Sequence, residues 1–282
     1  MNGIANQLVE IALSDIKASR KLREAKQYPQ SVFYFQQSTE KAFKAWGIFA
    51  GIIKEDEIQK ISHKHIKIYW KALTDQEKTV KGAMQAYDKI EGIKDHEVYK
   101  NMKLDEFNKM IEDEKVFKET IEKLDLLNLT HNDHVWVLDH LEEVEKVRLP
   151  SFKGLAGKLR DYSLKTEDFT RRISENNAKE FRDEMDKLSD EQLEALSWYP
   201  LKEYMISLFV TKVLFFTTIM SAAHFSYCRY PFKGVDPLKF YTSKQPLVKF
   251  LPDYLRLLEK AIKVLIKLRA GKYIPKVLDS FK

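Results

Sequence analysis

The sequence predicts an all-α protein, and three observations carry the prediction. Apolar residues recur at steps of three and four over much of the chain. Turn formers are scarce: nine Gly and eight Pro in 282 residues fall short of what closely spaced β-turns require. Capping patterns precede apolar runs at several points. A hydrophobic share of 44% against 32% charged residues describes a globular chain with a sizeable core. The single cysteine, Cys228, excludes an internal disulfide framework and a cysteine-built metal centre, and a reducing cytoplasm is the expected home. Met1 to Gly3 has no basic leader pattern.

Taken in order, the first helix is expected over Ile4 to Lys26, with Ile4, Leu8, Ile11, Ala12, Ser19 and Leu22 inward. Asp15 falls on that stripe, and an inward carboxylate needs a partner. Tyr28-Pro29 restarts the chain, since Pro suits a first helical turn. The second helix should run to about Gly51, burying Val32, Phe35, Thr39, Ala42, Phe43, Trp46 and Phe49, and should pair antiparallel with the first. Thr74-Asp75-Gln76-Glu77 reads as a capping box opening a helix that stops by Gly92. A charged helix follows from Leu104 to about Leu127, and Asn132-Asp133 is expected to cap another that reaches Val147. Pro150 to Ser163, with Gly154 and Gly157, reads as a linker. Ser189-Asp190-Glu191-Gln192 is a second capping box. Leu201 to Phe225 is the most apolar helix, and Pro252 should open a last one ending at Gly271. In that helix Leu255, Leu258, Ile262 and Leu265 face inward, opposite a basic stripe of Arg256, Lys260, Lys263 and Lys267.

Charge is unevenly spread. Gln76 to Lys146 holds 11 basic and 18 acidic residues, a net of −7, inside a chain of net +6, so the remainder carries +13. A basic body with an acidic middle suits an anionic partner that meets the two ends. Met205 to Phe225 is long enough to span a bilayer, but Lys212 near its centre would cost about 3 kcal/mol on insertion. The reading is a buried helix, and no membrane contact is expected.

The ordered set of Asp15, Tyr28, then Phe35-Gln36-Gln37-Ser38-Thr39-Glu40-Lys41-Ala42-Phe43-Lys44-Ala45, then Ser62-His63-Lys64, and finally Arg229-Tyr230-Pro231 resembles the HEPN family (higher eukaryotes and prokaryotes nucleotide-binding). The resemblance covers residues 1 to about 75 and, more loosely, 200 to 270. It implies a HEPN-like helical bundle with inserted helices: 1–75 as its N-terminal part, 76–197 as a helical insertion and 198–282 as its C-terminal part. It further implies nucleotide or RNA binding in a prokaryotic defence or toxin–antitoxin system, with a homodimer and a nucleotidyltransferase-type antitoxin as the expected partners. Ribonuclease members of the family carry Arg, four to six residues, then His. No histidine here has an arginine at that spacing before it; Lys60-x4-His65 and Asn128-x5-His134 are the nearest arrangements, and His224-x4-Arg229 runs in reverse. A non-catalytic scaffold or protein-interaction module is the alternative.

The residues themselves offer specific chemistry. Gln37, Glu40, Lys41 and Lys44 share one helical face, suited to reading a base edge and holding a phosphate, or else forming an ordinary exposed stripe. His63, among lysines, should be neutral and able to act as a base. His224, Arg229 and Tyr230 converge where the apolar helix ends; a metal-independent ribonuclease would use His224 to move a proton and Arg229 to hold the phosphate. The alternative gives Arg229 a structural ion pair with Asp15. His131, His134 and His140 are too loosely patterned to predict a metal site, and neither metal nor cofactor is expected.

Overall fold

The computed structural model describes residues 3–61, 65–87, 104–146 and 156–269. The chain is all-α: among the described residues the only β-type pairing is one isolated bridge, Phe232 with Val235. In order the helices are α1 (Ile4–Glu24), α2 (Tyr28–Phe49), the short α3 (Ile58–Ile61), α4 (Ile66–Tyr87), α5 (Leu104–Lys123), α6 (His131–Lys146), α7 (Ala156–Ile173), α8 (Glu175–Asp186), α9 (Asp190–Ala222), the short α10 (His224–Tyr227) and α11 (Pro237–Phe240), and α12 (Pro246–Arg269). Two compact units result. Among the described residues the first comprises 3–61, 65–72, 120–146 and 205–269; the second comprises 73–87, 104–119 and 156–204.

The α1–α2 hairpin is built on small residues at heptad spacing. Ser19 and Ser31 each donate a hydroxyl to the other's carbonyl, at 2.8 and 2.7 Å, and Ser38 Oγ donates to the Ala12 carbonyl at 2.8 Å. That antiparallel register brings Ala5 opposite Ala45, and all six residues are buried. Side chains this short let the two backbones approach closely enough for hydroxyl-to-carbonyl bonds. The buried face of α1 is therefore Ala5, Val9, Ala12, Asp15, Ile16 and Ser19. This corrects the expected stripe: Ile4 and Ile11 are 42% and 45% exposed, because their bulk would hold the helices apart.

Both hairpin ends close with the same device. At the end of α1, Lys26 is left-handed (φ 58°), its N–H donating to Arg23 O and the next N–H, Gln27, to Leu22 O. At the end of α2, Gly51 (φ 69°) donates to Ile48 O, and Ile52 to Gly47 O. These paired bonds satisfy carbonyls that the helix itself leaves open.

Several expected boundaries moved. α4 runs unbroken through Thr74, whose capping box lies in the helix interior; buried Ile68 and Tyr69 upstream carry the helical register past it. Gly92, where that helix was expected to stop, lies outside the described residues. α6 is capped one turn earlier than expected, with Thr130 and Asp133 bonded reciprocally: Asp133 N donates to Thr130 Oγ1, and Thr130 N and Oγ1 each donate to Asp133 Oδ2 at 2.7 Å. Within the expected linker, α7 already begins at Ala156. Finally, α12 opens at Pro246, with Val248 N donating to Gln245 Oε1, and Pro252 sits inside it. Pro252 has no N–H for the Val248 carbonyl, and Arg23 Nε of α1 supplies the missing bond at 3.3 Å. Arg20 reinforces the same α1–α12 contact through Glu259 at 2.6 Å.

The Ser189 box behaves as expected, Ser189 Oγ accepting from Gln192 N while Gln192 Oε1 accepts from Ser189 N. It opens a single 33-residue helix, Asp190–Ala222, that runs past Pro200, so the apolar helix expected from Leu201 to Phe225 neither starts at Leu201 nor reaches Phe225. In the second unit α7 and α8 form a hairpin in which buried Glu167 pairs with Arg171 and with Arg182 at 3.3 Å. Among the described residues one stretch, Met205–Ala222, is long and apolar enough to cross a membrane by composition, and 61% of it is buried in the fold. In the first unit its Val213, Leu214, Phe215 and Phe216 join Phe35, Phe43, Leu251, Leu255 and Leu258 in the core.

Candidate functional site

The glutamine-rich motif of α2 forms a continuous chain of polar groups. Asp15 Oδ2 accepts from Lys41 Nζ at 2.7 Å, and Lys41 Nζ also donates to Gln37 Oε1 at 3.1 Å. Gln37 Nε2 donates to Gln36 Oε1 at 2.7 Å, and Gln36 Nε2 to Glu40 Oε2 at 3.2 Å. Glu40 Oε1 completes the run by accepting from Lys44 Nζ at 2.7 Å. Two carboxylates balance two ammonium groups, so the run is neutral as well as hydrogen-bonded. Glu40 and Lys44 are only 7% exposed each. The stripe is thus a bonded network, half-buried at Gln37 and Lys41 and buried at Glu40 and Lys44, and not an exposed ion pair. Asp15 takes Lys41 as its partner and not Arg229.

The turn from α9 into the following loop separates two residues that the sequence placed together. His224 points inward: it is 2% exposed, and its Nδ1 lies 2.7 Å from the Tyr241 hydroxyl. Burial lowers its pKa from the usual 6.5 to about 3, so the ring is neutral at pH 7. The same burial drives the Tyr241 hydroxyl well above its ordinary value. Arg229 points outward and is exposed. Its guanidinium lies 5.2 Å from the ring centre of Phe33 on α2, 5.4 Å from that of Phe225 and 5.2 Å from that of Tyr230, and it donates a 3.2 Å bond to the Tyr230 hydroxyl.

Beyond Pro231 the chain makes a tight hairpin. Phe232 and Val235 exchange backbone bonds of 3.2 and 3.0 Å around Lys233 (φ 50°) and Gly234 (φ 78°), the two-residue turn with both centres left-handed. Glycine adopts such a geometry freely, whereas a lysine there is strained. The turn displays Lys233 over the Phe232 ring at 5.5 Å, and Phe232 packs edge-on against Tyr227. Tyr230 is 60% exposed and Phe232 42%. Arg229, Tyr230, Phe232 and Lys233, with Phe33 behind them, therefore form one corner in which cations alternate with exposed rings.

The sequence singled out Arg229 and Tyr230 but not Phe33, Phe232 or Lys233. Gly234 between Phe232 and Val235 was the turn signal available there. Phe33 gave none, since only the fold brings α2 beside the loop. His63 lies outside the described residues, and His65 is buried against Phe43, ring centres 5.9 Å apart. His131, His134 and His140 do not converge: His134 is buried with Nδ1 3.0 Å from the Tyr254 hydroxyl, while His131 packs on Phe250 and His140 on Trp136. No group of three metal-binding side chains occurs among the described residues. The basic stripe of α12 is largely engaged as well, Arg256 and Lys260 with Glu145 at 3.2 and 2.5 Å, and Lys263 with Glu259 at 2.5 Å.

Comparison with protein families matched residues 5–124 to the HEPN domain. That match runs to the end of α5; of the residues at the Arg229 corner it includes Phe33 and none of the later loop. Comparisons with curated proteins and with solved structures gave no match.

Proposed function

We propose that the chain binds single-stranded RNA or a nucleotide at the corner formed by Phe33, Arg229, Tyr230, Phe232 and Lys233; the match of residues 5–124 to the HEPN domain, whose functions are nucleotide- or RNA-related, supports that class of ligand. The observation that carries the reading is the exposed Tyr230 ring beside a guanidinium held among three aromatic rings. Nucleobases stack on exposed rings whatever their identity, while Arg and Lys hold the backbone phosphates. Stacking leaves the charge of Arg229 intact and limits the freedom it would lose on binding.

Binding is favoured over cleavage at this corner by the placement of His224. A general base must reach the proton it removes, and His224 is sealed inside against Tyr241 while Arg229 faces solvent. The setting we propose is cytoplasmic, in a prokaryotic defence or toxin–antitoxin system, where a homodimer or a nucleotidyltransferase-type antitoxin would be the protein partner.

Fluorescence anisotropy with a labelled oligouridine tests the reading. Arg229→Ala should weaken binding about tenfold, and Tyr230→Ala by about 1–3 kcal/mol, the value of one stacked base. Affinity should fall linearly with the logarithm of salt concentration, with a shallower slope in Arg229→Ala. Unchanged affinity in both variants would contradict the proposal.

A further inference from the structure

Helix α6 carries a surface of opposite character to the Arg229 corner. Its buried residues, His134, Val137, Leu138 and Leu141, all lie on one side. On the other side, at helical steps of three and four, stand Asp133, Trp136, Asp139, His140 and Glu143. Trp136 is 58% exposed, although an indole is among the most costly side chains to leave in water. It is held in place: the His140 ring stacks parallel to it, 6° between planes and 5.5 Å between centres, and Phe216 of α9 meets it edge-on at 5.9 Å. His140 also meets Phe216 edge-on. A large ring fixed before any partner arrives loses little freedom on binding, a property of interface anchors.

Asp139 and Glu143, both exposed, flank the ring along this face. Carboxylates there would repel the phosphates of RNA, so the stacking chemistry of the Arg229 corner does not transfer. They would attract Lys and Arg, and the indole face is the best aromatic platform for such a cation. α6 as a whole has the same sign, with Asp133, Asp139, Glu142, Glu143 and Glu145 against the single Lys146. We propose that this face of α6 is a docking surface for a basic segment of a partner protein, with Trp136 as its anchor.

The test uses the full chain and a fluorescein-labelled nona-arginine peptide as probe, read by anisotropy at low and moderate salt. The wild type should bind, and Trp136→Ala should weaken binding about tenfold, as should the double variant Asp139→Asn/Glu143→Gln. Trp136→Phe, which keeps a ring face, should retain most of the affinity and so separates loss of the platform from loss of the fold. Oligouridine affinity should stay at the wild-type value in all three variants. Failure of the wild type to bind the peptide would overturn the proposal. So would an effect of the charge variant with none of Trp136→Ala, which would mark unspecific attraction. Loss of oligouridine binding in Trp136→Ala would instead assign the face to RNA.

Discussion

At the scale of single residues, the fold shows where small changes carry large consequences. A Cβ placed on Gly47 would stand 2.7 Å from Ile68 Cγ2 and 3.1 Å from Ile53 Cγ1, so α2 and α4 approach through a glycine. Gly47→Ala should therefore cost about 1–3 kcal/mol, the usual penalty of overpacking, seen as a lower urea midpoint. Lys26 gives the opposite case. It is exposed and left-handed, so Lys26→Gly should stabilise by about 1 kcal/mol in the same titration. The buried pair in α2 separates a partner's loss from a pair's loss. Glu40→Leu strands the Lys44 ammonium and should cost about 3 kcal/mol, whereas adding Lys44→Met should recover most of it. A double variant as unstable as the single one would mean that the pair supports the fold beyond its own charge balance.

At the scale of elements, much was legible in the sequence and the misses share a cause. The α1–α2 hairpin, its Tyr28-Pro29 joint, the Ser189 box and the inward Leu255, Leu258 and Ile262 of α12 follow from spacing and turn chemistry alone. The buried face of α1 did not, because it is lined by alanine and serine, which a search for large apolar residues passes over. Pro252 was read as a helix start because sequence cannot show Arg23 arriving from α1 to bond the Val248 carbonyl. For the site, the motif on α2 was visible but its meaning was not. Whether Gln37, Glu40, Lys41 and Lys44 meet a ligand or one another depends on how deeply Asp15 and the α1 backbone sit against them. His224 and Arg229 look like a pair in sequence, and one helical turn sends the imidazole inward and the guanidinium outward.

At the scale of the whole molecule, two buried histidines couple the core to pH. Burial lowers the His134 pKa to about 4 and that of His224 to about 3, against 6.5 in the unfolded chain. The unfolded state therefore binds protons that the folded state refuses. Their contribution is fully present above pH 6.5 and is lost as the pH falls from 6.5 toward 4 and below. Unfolding free energy measured in urea across that range should decline with acid, and His134→Gln should make the decline shallower. The Cys228 thiol, with its pKa raised to about 12 by burial, should resist iodoacetamide in the native protein and react readily once urea unfolds it.

The same core sets the outward geometry on which the account rests: α2 supplies Phe33, and the loop after α10 supplies Arg229, Tyr230 and the Lys233 turn. Photocrosslinking with a 4-thiouridine oligomer, followed by mass spectrometry of the linked peptides, tests that claim most directly. The account predicts links at Tyr230, Phe232 or Phe33, lost on Arg229→Ala. Links confined to the α2 polar chain around Gln37 and Lys41, or to the basic face of α12, would contradict it.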